Sequence, residues 1–570
     1  MREKNLLKKF ALFAVLFILI FNSGYSQNIY SGINLDTVKA GRFDNGKMWT
    51  FDAPPNEYFQ KAYNFSPTKD WYDHIRMSSL KFADYCSASF ISEDGLVLTN
   101  HHCGRENVTK VTQKGENLNE DGFFAYTLAD ERKVPDLFVS QLIQIIDVTK
   151  EIKDAMDKGK TDEEKIKLKE KKKDELIEKY NEELNLDCEL VTLYNGGLYH
   201  IYAYKRYDDV RLVCAPETQI GYFGGDYDNF TYPRYNLDFC LFRVYENGKP
   251  LKTDHYLKWC ENGVDSGAVI FVVGYPASTS RLKTVAELEF LRDVLYPYYV
   301  MWIKMQISIF EDKLKNPGED KEEIENEYFS YMNSLKVFEN TIKNLHNPYL
   351  MARKKSFENE FKSKVLANSN LKAKYGNVWD EINSLIAEQK KKKLDGFDSF
   401  SKKLEAKNTL LGRALFEVYG REIPPDATFT LRISDGVVAS YEYNGTIAPI
   451  FTTFYGIYDR YYSFSKKYPW SLPKKWINPP PGLKLETPVN FIGTCDIVGG
   501  NSGSPVINQD GELVGVAFDG NIESLSSDFI FTTESNRMIA VDSRAILECL
   551  RIVYNLDRIY KEIMNGKIID

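Results

Sequence analysis

Three textures of apolar and polar positions alternate along this chain, and each predicts a different kind of element. Residues 27–150 and 186–275 are rich in aromatic and β-branched residues interrupted by Gly/Asp turns, the pattern of short antiparallel strands. The clearest hairpin there runs from Cys86 through a turn at Glu93-Asp94-Gly95 into the apolar stretch Leu96–Leu98. Between these β regions, Lys150–Leu184 is dominated by Lys and Glu, with apolar residues at Ile152, Met156, Ile166, Leu168, Leu176 and Ile177. That spacing predicts a solvated amphipathic helix or helical hairpin with no binding role. Residues 284–415 carry helical periodicity and few turn signals, as in Val285-Ala-Glu-Leu-Glu-Phe-Leu-Arg-Asp-Val-Leu, and the run Lys390–Lys393 reads as an exposed helix face. β texture returns from Ala427 and continues past Ser502 to a final helix around Arg544–Met564. The expected fold class is mainly β with inserted α.

A chain of 570 residues is too long for one hydrophobic core and predicts roughly two to four domains. The textures divide it into an N-terminal β half (27–283, with the helical excursion 150–184), a helical domain (284–415) and a C-terminal β half (416–570). An apolar fraction of 43%, with 14% aromatic, is ample for packed cores and excludes general disorder. The formal net charge of −8 lacks the basic footprint of a nucleic-acid-binding protein. Residues 1–26 read as a signal peptide: Arg2, Lys4, Lys8 and Lys9 precede the apolar run Phe10–Phe21, and small Gly24 and Ser26 fit cleavage before Gln27. The run is shorter than the ~20 residues of a membrane span, and no cysteine follows the cleavage site to carry a lipid. The mature chain is expected to be exported, to the periplasm or the cell surface, with no stable membrane insertion. The eight cysteines suit an oxidising compartment. A Cys86–Cys103 bridge would pin the loop after the hairpin. The pairing of Cys188, Cys214, Cys240, Cys260, Cys495 and Cys549 is left open, and a thiol in an apolar strand such as that of Cys240 is commonly buried and free.

The chemistry-bearing motif is Gly499-Gly500-Asn501-Ser502-Gly503-Ser504-Pro505. A serine hydroxyl is a weak nucleophile unless a base, an orienting acid and an oxyanion site surround it. Gly499 and Gly500 free the backbone to turn sharply, so that the N–H groups of Gly500 and Ser502 can converge on one oxyanion. The loop is not an α/β-hydrolase elbow, which would need glycine at Ser504. The base candidate lies in Thr99-Asn100-His101-His102-Cys103, after a strand and directly before a cysteine, which selects His102 over His101. The chain has only six histidines, and no second His or Cys stands at helical ligand spacing from this pair, so no metal site is expected. The acid candidate is Asp238, at the head of the apolar strand Phe239–Val244. The order His102, Asp238, Ser502 is that of chymotrypsin-like folds.

These motifs, together with Gly224-Gly225-Asp226-Tyr227-Asp228-Asn229-Phe230, Pro233-Arg234 and Gly515-Val516-Ala517-Phe518-Asp519-Gly520-Asn521, resemble the bacterial dipeptidyl-peptidase 7 and dipeptidyl-peptidase 11 family. The resemblance spans most of the mature chain. It implies a chymotrypsin-like double β-barrel with a helical cap, release of dipeptides from peptides with a free N-terminus, no cofactor, and a homodimer. It also implies that Asp519, Asn229 and Asn333 meet the substrate amine, that Phe230 adds an apolar surface, and that Gly520 walls the P1 pocket. Acid-specific members have arginine where Gly520 stands, so glycine points to an apolar or broad P1 preference. Two departures are visible: Phe230 and Ile522 replace tryptophans of the family and lose the indole N–H. The stretch between Asp238 and Ser502 is also short, which implies a reduced cap and leaves an endopeptidase of the same fold, or a catalytically silent peptide-binding protein, as rival readings.

Overall fold

The computed structural model describes residues 32–569 apart from 317, 319 and 320. The proposed signal peptide, 1–26, therefore lies outside the described residues. Two large antiparallel sheets form the body, one of 11 strands and one of eight, with helices inserted between their strands. The strand order of the eight-stranded sheet is open, from Trp49–Thr50 at one edge to Phe451–Thr453 at the other. The molecule is thus a mixed α/β structure built on antiparallel sheets.

The expected hairpin forms as Cys86–Phe90 paired with Leu96–Thr99, both wholly buried. Leu96–Thr99 also pairs with Cys240–Glu246, and the register sets Cys240 opposite Thr99. Neighbouring strands lie only about 4.8 Å apart. Whatever follows Thr99 therefore meets whatever precedes Cys240 at the same end of the sheet. The eight-stranded sheet contributes Pro505–Ile507, paired with Val269–Gly274 and with Leu513–Gly520. Val269–Gly274, counted with the N-terminal half on texture, thus hydrogen-bonds in the sheet that carries the nucleophile loop, as does Trp49–Thr50 through Arg432–Val437. Apolar periodicity identifies a strand but not its neighbours, which explains the difference.

The Lys/Glu-rich stretch is a helical hairpin, Thr149–Met156 and Asp162–Leu184, that buries Ile152, Met156 and Leu176 against strand Leu198–Tyr207. The helical region contains an antiparallel pair, Tyr296–Leu314 and Lys321–Leu345. Edge-on aromatic contacts join them: Tyr296 and Tyr299 to Phe338 at 5.1 and 5.4 Å, and Trp302 to Tyr331 at 5.6 Å. The C-terminal helix is broken near Asn555, whose φ of 52° is left-handed: Ser543–Glu548 runs on through the π-helical turn Cys549–Val553, and Asp557–Asn565 follows the break.

Candidate active site

His102 stands in the first turn of helix His101–Val111, directly after strand Leu96–Thr99. The strand register delivers Asp238 to it: the His102 ring Nδ1 lies 2.6 Å from Asp238 Oδ2, and the His102 backbone N–H donates to Oδ1 at 2.9 Å. Asn100 fixes the acid's own backbone by donating to the Asp238 carbonyl at 2.8 Å. Burial raises the Asp238 carboxyl, but attraction to the His102 imidazole and the two His102 N–H bonds outweigh it and hold the group below its usual range. His101 has a different task. It is buried, its Nε2 lies 2.9 Å from the Pro216 carbonyl, and burial pushes its pKa down to about 4. It is a packed structural histidine, against whose ring Gly221 lies too close to carry a side chain.

Helix His101–Val111 is pinned by the expected disulfide, Cys86–Cys103. The other six cysteines are free thiols. Cys86, His102 and Cys103 are the one His/Cys/Asp/Glu cluster tight enough for a metal among the described residues, but both sulfurs belong to the bridge.

The loop that carries Ser502 is held from both sheets. Ser87, on the central hairpin strand, donates its N–H to the Ser502 carbonyl and its hydroxyl to the Gly500 carbonyl, each at 2.8 Å, while its hydroxyl accepts from Tyr275 N–H at 2.9 Å. Gly500 adopts φ +92°, and a Cβ there would lie 2.4 Å from the Tyr275 carbonyl oxygen, so only glycine fits. The amides of Asn501, Gly503 and Ser504 are committed to the carbonyls of Val498, Ala517 and Asn501. Those of Gly500 and Ser502 make no hydrogen bond among the described residues, which is the state an oxyanion site requires. Ser502, His102 and Asp238 line one cavity of about 710 Å³. The Ser502 hydroxyl is not hydrogen-bonded to His102, a contact that commonly tightens only when substrate binds.

The remaining expected residues line the same cavity. Asn333, on helix Lys321–Leu345, accepts from Asn229 Nδ2 at 3.0 Å, and Lys336 on that helix donates to the Asn229 carbonyl at 3.1 Å. The helical region is thereby tied to the wall of the cavity that Ser502 and His102 line. Phe230 takes a left-handed φ of 55°, and its N–H donates to Asp519 Oδ2 at 3.1 Å. Asp519 is not the free carboxylate that the sequence suggests. Arg234 binds it directly in a buried ion pair, and Gly520 N–H donates to Oδ1 at 2.8 Å. Gly520 likewise departs from expectation, because the space beside it is occupied: a Cβ would lie 2.2 Å from Ser524 Oγ. Asp496, six residues before Ser502, is sealed by Arg281 and the Lys47 amide and offers no charge to the cavity.

Sequence reasoning missed Ser87, Ser524, Asp528 and the structural role of Arg234. Arg234 had a signal, since it sits within the Asn229–Asp238 motif. Nothing local marks the others. Asp528 faces the cavity with only a long 3.4 Å contact from Tyr296 Oη, and burial, with Asp426 nearby, raises its carboxyl to about 6.

A family model described as Peptidase S46 matches residues 43–397 and 391–565, nearly the whole described chain. The chain belongs to the peptidase S46 family. It is a peptidase. Dipeptidyl-peptidase 7 of Phocaeicola vulgatus is 27% identical to it, over 82% of this chain and 88% of that protein. An Asp/Glu-specific dipeptidyl-peptidase of Shewanella putrefaciens is 26% identical, over 85% and 92%. Among solved structures, Porphyromonas endodontalis DPP11 in complex with the dipeptide Arg-Asp superposes with a TM-score of 0.76 at 20% identity, covering 91% of this chain and 99% of that one. The S46 fold therefore carries the two sheets and the helical region as described.

Proposed function

We propose that this S46 peptidase is an exported serine dipeptidyl-peptidase that releases dipeptides from the free N-termini of peptides, with an apolar or broad P1 preference. In this reading Ser502 attacks the scissile carbonyl, His102 takes its proton and returns it to the leaving amine, and Asp238 holds the imidazole tautomer. The free amides of Gly500 and Ser502 receive the oxyanion. The two sheets are then the two halves of a chymotrypsin-like double barrel, and residues 284–415 the cap.

The observation that carries the reading is the Asn229–Asn333 contact within the cavity that Ser502 and His102 line. In this reading the substrate amine is bound there by the two amide groups and Asp519. For P1, the cavity-facing Asp528 carboxyl has no ion-pair partner among the described residues, so an acidic P1 side chain beside it would meet another carboxylate. An apolar P1 side chain gains by burial, on the order of 25 cal/mol per Å². The endopeptidase alternative draws on one finding: Arg234 already neutralises Asp519, which weakens its pull on an ammonium. Mass spectrometry of peptide digests decides between them. Dipeptide ladders from the N-terminus support the proposal, and internal cuts with no ladder refute it. Export is tested by cell fractionation and N-terminal sequencing for a start at Gln27, and the homodimer by molar mass in solution.

A further inference from the structure

Arg105 lies three residues after His102 on the same helix and lines the same cavity. No hydrogen bond or ion pair engages its guanidinium among the described residues, and its Nε is buried without a partner. The neighbouring carboxylates, Asp238, Glu106 and Glu325, stay beyond ion-pair distance of it; Asp238 is held by His102 and Glu325 pairs with Lys321. The Phe329 ring lies 5.5 Å from the guanidinium carbon. Burial pulls its pKa down, a shift only partly offset by the Tyr222 hydroxyl and the carboxylates of Asp238, Glu106 and Glu325. A half-buried guanidinium with no ion pair of its own is costly, and charges drawn out of water are ordinarily paired.

Its surroundings indicate which part of a substrate would reach it. Phe329 stands one helical turn before Asn333 on helix Lys321–Leu345 and packs edge-on against Tyr222 at 5.6 Å. Arg105, Phe329 and Tyr222 thus form a wall beside the Asn229–Asn333 pair. Successive side chains of an extended peptide point to opposite sides. With P1 directed toward Gly520 and Ser524, the side chain of the residue carrying the free amine turns to the other wall.

We propose that Arg105 is a specificity residue that receives a substrate carboxylate, supplied by Asp or Glu at P2. The proposal rests on the dipeptidyl-peptidase reading. The same chemistry has a second source, the carboxylate of a leaving-side residue in a very short peptide, and the experiment separates the two.

One arm compares kcat/KM for fluorogenic dipeptidyl substrates with Glu or Gln at P2 and a constant apolar P1. A charge-assisted bidentate contact favours Glu over Gln by about 10- to 100-fold. The ratio should fall to about 1 in Arg105→Gln and Arg105→Met and be partly kept in Arg105→Lys, where the charge remains but the fork is lost. Because the readout is a ratio within each variant, a general loss of active protein cancels. The other arm compares tripeptides with a free or amidated C-terminus. If only that ratio responds to Arg105, the carboxylate chemistry stands but P2 as its source is overturned. If the unaltered enzyme does not prefer Glu, or neither ratio responds, the proposal fails. Absence of dipeptide release from a Leu P2 substrate would instead defeat the underlying reading.

Discussion

In Asp238→Asn, a carboxylate that serves two N–H donors is replaced by an amide with a single acceptor oxygen. The two donors are the His102 ring at 2.6 Å and the His102 backbone at 2.9 Å. The backbone N–H cannot change its character, and facing it with the new NH₂ group would leave a buried donor unpaired, costing about 1–3 kcal/mol. The amide oxygen therefore turns to the backbone, and its NH₂ group faces the ring. Nδ1 must then be the acceptor, which moves the ring proton to Nε2, the atom that has to accept the Ser502 proton. Loss of the productive tautomer costs roughly 10⁴ in kcat, equivalent to about 5.5 kcal/mol of barrier. KM should change little, because neither group binds the substrate. The assay is steady-state hydrolysis of an apolar-P1 dipeptidyl substrate, with circular dichroism to confirm the fold. A loss smaller than about 10-fold would refute the role of Asp238 as tautomer clamp and, with it, the proposed triad.

Acetylating the N-terminus of a good peptide substrate should lower kcat/KM by about 10², the worth of one or two charge-assisted hydrogen bonds. Asn333→Ala should narrow that gap, whereas Asp519→Ala is a poor probe because it strands Arg234 in a buried site; equal cleavage of blocked and free peptides would convert the reading to endopeptidase. Gly520→Arg alone should lower activity on all substrates, since its Cβ forces the Ser524 hydroxyl off the Asn521 carbonyl. Paired with Ser524→Gly, it should move preference toward Asp and Glu at P1, measured on Leu, Met, Asp and Glu substrates, and an unaltered enzyme that already prefers acidic P1 would show the pocket assignment to be wrong. Asp528 keeps its proton to about 6 in the folded state against 3.8 unfolded. The unfolded state therefore releases that proton first, so this group lowers stability as pH rises from about 4 to 6, by at most roughly 3 kcal/mol. Denaturant unfolding of Asp528→Asn should show a gain over the unaltered protein above pH 6 and none below pH 4; an equal difference at both pH values would contradict the assignment.

Much of this protein is legible in its sequence because local rules suffice. Apolar runs on either side of the Glu93-Asp94-Gly95 turn place the hairpin before His102, and apolar residues at helical spacing place the Lys/Glu helical hairpin and the helical region. Gly500 is required by a left-handed backbone pressed against Tyr275, and the motif announces it. His102 is distinguished from His101 by position alone, and the burial of His101 against Pro216 agrees. What the sequence could not decide are pairings between residues far apart along the chain. That Ser87 clamps the Ser502 loop, that Arg234 neutralises Asp519, that Ser524 fills the space beside Gly520 and that Arg105 Nε is left without a hydrogen-bond partner depend on how the two sheets and the helical region meet. A side chain's charge and shape are written in its residue type. Whether that charge is answered or left open depends on which distant groups share its buried volume, and only the tertiary structure brings those groups together.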